Sequence, residues 1–61
     1  MGIDDVRVGE TVVDGAGVER HVWALILGKV YFYQRLGHDT PWQFDRHAAA
    51  PSIEDFASRH N

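Results

Sequence analysis

The chain contains no cysteine. Without thiols there is no disulfide framework, and nothing points to an oxidising, secreted setting. Long apolar runs are missing too. The longest, "VWALIL" at Val22 to Leu27, is far short of the about 20 residues that span a bilayer. No basic-then-apolar leader opens the sequence, so the expectation is a soluble, cytoplasmic protein with no membrane partner. Basic residues are scarce, six Lys and Arg against nine Asp and Glu, for a net charge of -3. This balance argues against general affinity for nucleic acid, which depends on clustered cations that displace counterions, and it suits a basic protein partner. Catalytic signatures are absent: there is no G-x-S-x-G and no glycine-rich phosphate loop. The candidate nucleophiles are Ser52, Ser58, Thr11 and Thr40, and a chain of 61 residues rarely encloses a pocket in which to activate one. The expectation is a protein that is not an enzyme and has no cofactor.

What is present in unusual number is histidine, four in all: His21, His38, His47 and His60. None stands at the i, i+4 or H-x-H spacing that prepositions two metal ligands, so the reading is of exposed or half-buried polar residues and no metal site. His38-Asp39 lies in a turn, where Asp39 serves to bond nearby backbone N–H groups. The carboxylate pairs Asp4-Asp5 and Glu54-Asp55 have solvating and helix-end roles, and neither forms an acid–base couple at a defined distance.

Two turn signals organise the first half. "DGAG" at Asp14 to Gly17 separates "VRVGETVV" from "VERHVWALIL", and Gly28-Lys29 separates "VWALIL" from "VYFYQRL". A four-residue first loop puts Val13 opposite Val18; a two-residue II′ loop at Gly28-Lys29 puts Leu27 opposite Val30. A further strand is expected at "TPWQFDR", with Trp42 and Phe44 on one side, and Pro41 suits its start or an edge. "PSIEDFASRH" then starts a helix, with Ser52 as N-cap, Asp55 three residues later, and Ile53, Phe56, Ala57 and His60 as its apolar stripe. The whole is one small domain over 1–61, with strands at about 5–13, 18–27, 30–36 and 40–46 and a helix at about 52–60. The fold class is mainly β: a four-stranded antiparallel meander that curls toward a barrel, plus one short C-terminal helix.

The period of two sorts the strands onto two faces. Val6, Val8, Val12, Trp23, Leu25, Leu27, Val30 and Phe32 form the expected core face. The opposite face takes Arg7, Thr11, Val13, Val18, Arg20, Val22, Ala24, Ile26, Tyr31, Tyr33 and Arg35. A solvated face ordinarily carries Lys, Glu, Thr and Gln, whereas Tyr and Arg are enriched at binding hot spots.

In outline, the opening "VRVGETVV", the two hairpins, "VYFYQ" and the later Trp42 resemble small SH3-like barrel proteins. The resemblance implies a fold and no activity, and the peptide-binding signature of eukaryotic SH3 domains is absent. The expected function is that of a protein-interaction module, such as a small regulator or inhibitor, binding through Ile26, Tyr31, Tyr33, Arg20 and Arg35. Its partner is another protein or a second copy of the chain in a structural homodimer. The alternative is single-stranded nucleic-acid binding, with Tyr31, Tyr33 or Trp42 stacking on bases.

Overall fold

The glycine-bearing turns fold the first half of the chain into an antiparallel sheet of β1 (Thr11–Val13), β2 (Glu19–Ile26) and β3 (Lys29–Arg35), in that spatial order. A 3₁₀ turn at Ile3–Asp5 precedes the sheet and one helix, α1 (Ile53–Arg59), follows it. The computed structural model describes residues 1–45 and 48–60. Arg46, the last residue of the expected fourth strand, lies outside the described residues, as do His47 and Asn61. A mainly β chain with a terminal helix is as the sequence suggests, but among the described residues the sheet has three strands rather than four, and the pairing within it differs in three places.

The first difference is at Asp14. Its Oδ1 accepts hydrogen bonds from the N–H groups of Ala16 and Val18 at 2.9 and 3.0 Å, and its Oδ2 lies 2.6 Å from Arg20 Nη1. This side-chain closure keeps Val18 in the loop, so Val13 faces Glu19. A slip of one residue exchanges the faces of a strand. Arg20 and Val22 therefore belong to the core face rather than to the tyrosine face.

The second is a bulge in β2. Register changes between Val22 and Ala24, leaving Trp23 as the extra residue. A bulge resets the alternation. Val22 and Leu25 both join the core, while Trp23 turns to Tyr31 and Tyr33 on the other face.

The third is the tight turn, which consists of Leu27 and Gly28 between the paired Ile26 and Lys29. Both turn residues have positive φ, 50° and 75°, the signature of type I′ rather than of a II′ turn beginning at Gly28. Leu27 is thereby placed at the tip and is 96% exposed.

The core consists of Val6, Val22, Val30, Phe56 and Ala57, with Val12, Leu25, Phe32 and Ile53 packed against it. Val8, Trp23 and Leu27 are not part of it. Val8 is excluded because β1 begins only at Thr11: the chain bends at Gly9, φ 93°, where Gly9 N–H and Glu10 C=O hold Val22 by two hydrogen bonds. The stretch expected as a fourth strand meets β3 through one bridge, in which Gln34 and Gln43 exchange hydrogen bonds of 2.9 and 2.8 Å. Just before it, Thr40 is tied into a turn with Gly37 and Pro41 has no N–H to give. Among the described residues the sheet is open and three-stranded.

Helix α1 starts where Ser52 Oγ accepts from Asp55 N–H at 3.2 Å, a side-chain cap for a donor that the helix leaves unpaired. Its start is fastened to the tight turn by Ile53 N–H to Gly28 C=O and Val30 N–H to Pro51 C=O. Phe56 packs on Phe32 at 5.4 Å between ring centroids. His60, grouped with the other histidines as exposed or half-buried but also placed on the apolar stripe of the helix, follows the stripe and is buried: its ring stacks on Phe56 and its Nδ1 lies 2.6 Å from the Phe56 carbonyl. A carbonyl only accepts, so Nδ1 donates, and Nε2 is left to accept from Arg20 Nη1 at 3.1 Å. The helix thus covers the valine face of the sheet and leaves the tyrosine face to other residues.

Candidate functional site

On that second face the β2 bulge and β3 bring four rings into one cluster. Trp23 lies 5.7 Å from Tyr31, 6.0 Å from Tyr33 and 5.8 Å from Phe44, and Tyr33 lies 5.8 Å from Phe44. The contacts to Phe44 are edge-on and the others tilted, the arrangements that ring quadrupoles favour. The Gln34–Gln43 bridge places Phe44 there and Trp42 beside it. Trp23, Tyr33, Trp42 and Phe44 remain 39–46% exposed. Pairing with one another satisfies the edges of these rings but leaves an apolar surface open to water.

One end of the cluster is fixed by charge. Glu19 is buried, and the Arg35 guanidinium meets it with two contacts of 3.2 Å, Nε to Oε2 and Nη2 to Oε1. A forked pair of this kind holds the guanidinium plane in one orientation. The Arg35 Cζ lies over the Trp42 ring, 4.3 Å from the centroid, a cation–π contact. His21, hydrogen-bonded to Thr11 Oγ1 at 2.9 Å, stands 6.0 Å from Trp42. Between His21, Tyr33 and Trp42 is a shallow, open hollow. The opposite end of the face is the hairpin tip, with Ile26 half exposed and Leu27 beyond it.

Of the residues proposed from the sequence, Ile26, Tyr31, Tyr33 and Arg35 share this face. Arg20 does not. It lies on the helix side, its Cζ 5.6 Å from the Phe32 ring centroid and its Nη1 between Asp14 and His60. Trp23, His21 and Phe44 are surface residues that sequence reasoning left out of the site. Strict alternation assigns Trp23 to the core, and only a bulge reverses that; no residue in "HVWAL" announces one. The alternation puts Phe44 with Trp42 on one side of its stretch, but which sheet face they meet depends on the bridge at Gln43.

Charge and hydrogen bonding act together on the Asp14 carboxyl. The hydrogen bond from Arg20, assisted by the Val18 and Ala16 N–H groups, lowers its pKa to about 2. This carboxylate belongs to the turn on the helix side of the sheet. Among the described residues no group of three or more His, Asp or Glu side chains converges on a point, and no helix is long and apolar enough to cross a membrane. Compared with family models, with characterised proteins and with solved structures, the chain matches none.

Proposed function

We propose that this protein is a non-enzymatic interaction module, a small regulator or inhibitor that binds another polypeptide through its aromatic sheet face. The observation carrying this reading is that α1 packs on the valine face while Trp23, Tyr33, Trp42 and Phe44 stay partly exposed as one contiguous patch. Aromatic anchors on a rigid sheet lose little side-chain entropy on binding, and patches of this kind mark contact surfaces. Arg35, paired with Glu19 and in cation–π contact with Trp42, holds the rim of the patch in place. The likeness to SH3-like barrels stays part of the proposal. It is supported by the bulge at Trp23 and by the Gln34–Gln43 bridge, which bends the chain back over the face.

The nucleic-acid alternative is the weaker reading. The four clustered rings already contact one another, which leaves few free slots for bases, and Arg35 is committed to Glu19. The discriminating experiment is affinity capture with the wild type and with a Tyr33→Ala, Trp42→Ala double variant whose circular dichroism matches the wild type. A protein captured by the wild type and lost by the variant is the expected result. Equal capture by both removes this face as the binding site, and a salt-sensitive gel shift with single-stranded DNA or RNA shifts the reading to nucleic acid.

A further inference from the structure

We propose that the occupant of the aromatic face is a second copy of this chain, in a two-fold dimer with the hairpin tip of each copy seated in the His21, Tyr33, Trp42 hollow of the other. This rests on the reading that the face is a contact surface, and it names the partner.

Three features of the molecule converge on it. The first is the tip. A type I′ turn favours Asn or Gly at its first position, because a left-handed backbone is costly for a side chain with a Cβ. Here the position holds Leu27, at φ 50° and 96% exposed. The residue is unfavourable both for the backbone and for its hydration, and at that exposure it gains little from contact with the other described residues. An apolar side chain retained at such cost acts as a plug for an apolar recess.

The second is the layout of the face. Ile26 and Leu27 stand at one end, and the hollow at the other, beside Trp42. The strand distance from Ile26 to His21 is roughly 17 Å. A two-fold axis lying in the plane of contact and crossing the strands near Trp23 sets two copies face to face and antiparallel, and brings each tip over the other's hollow. Such an isologous contact satisfies both ends at once and closes on itself. Charge follows the same pattern. Lys29, the only lysine, adjoins the tip, and Asp39 lies in the turn at the far end. Neither makes an ion pair among the described residues, and the two-fold places each Lys29 near the partner copy's Asp39.

The third is area. The exposed parts of Trp23, Tyr33, Trp42, Phe44, Ile26 and Leu27 come to roughly 460–770 Å² per copy, if a large side chain offers about 150–250 Å². A face-to-face pair that covers all of it buries roughly 900–1,500 Å² in total, which reaches the lower range for a specific interface and suits a weak, concentration-dependent dimer.

The test is sedimentation of the full chain from about 5 to about 500 µM, a range that brackets micromolar affinities. A rise from monomer to dimer is expected across that range. Leu27→Asn is the informative variant, since Asn fits the turn: it should raise the urea midpoint of the monomer while weakening the dimer at least about tenfold, a difference of about 1.4 kcal/mol. Lys29→Asp and Asp39→Lys should each weaken the dimer, and the two combined should restore it. A wild type that stays monomeric throughout overturns the dimer, as does one whose dimer is indifferent to Leu27→Asn. Failure of the dimer is distinguishable from failure of the interaction reading, because a monomer can still capture another protein through Tyr33 and Trp42.

Discussion

Asp14 shows how one side chain can set the pairing of a sheet. Its two oxygens hold two turn N–H groups and Arg20, and through them it determines that Val13 faces Glu19. Asp14→Ala should therefore lower the urea midpoint at neutral pH. The effect depends on pH with a definite sign. The folded-state pKa, about 2, lies below the ordinary 3.8, so the carboxylate contributes stability that is fully present above the unfolded value. That contribution declines as pH falls from about 4 toward 2, because the folded state must give up its ionised form. The difference between wild type and Asp14→Ala, measured in urea, should accordingly be largest near pH 6 and shrink toward pH 2. A difference that stays constant with pH would assign Asp14 a role other than its charge.

Among the elements, α1 was the most legible in the sequence and β2 the least. The helix carries its signals locally: a capping serine, acidic residues in the first turn and Arg59 in the last, and the stripe Ile53, Phe56, Ala57 and His60 is turned inward as its spacing suggests. Ser52→Ala removes the one side-chain cap and should cost about 1 kcal/mol by chemical denaturation. Strand β2 is different because its two halves are out of phase. From Glu19 to Val22 the even positions face the core, whereas beyond Trp23 Leu25 does. The added loop residue at Asp14 shifts the strand one way and the bulge at Trp23 shifts it back. A uniform alternation therefore assigns Leu25, Val30 and Phe32 correctly and Arg20, Val22 and Trp23 wrongly. The first arises from the side chain of Asp14, which takes an extra residue into its turn, and the second is a break in pairing between Val22 and Ala24; a pattern of alternating apolar residues encodes neither. The same limit applies to the candidate site. Ile26, Tyr31, Tyr33 and Arg35 follow from β3 and the end of β2, where phase is kept; Trp23 and Phe44 require the bulge and the Gln43 bridge.

At the scale of the molecule, stability rests on a thin core. Val6, Val22, Val30, Phe56 and Ala57 are its buried apolar members, and single cores in chains below about 70–80 residues rarely supply more than about 3–5 kcal/mol. Phe56 joins helix to sheet through Phe32 and His60. Phe56→Ala should cost about 3–5 kcal/mol, comparable to the whole, so thermal unfolding should lose its cooperative transition.

The placement of tryptophan separates two properties that are usually reported together. Both tryptophans, Trp23 and Trp42, stand on the aromatic face and neither is in the core. Their emission is therefore a built-in reporter of what touches that face: acrylamide quenches it in the free chain, and an occupied face shields it and shifts it to the blue. The buried Phe56 contributes nothing at those wavelengths, so the protein signals its contacts optically while its core stays dark.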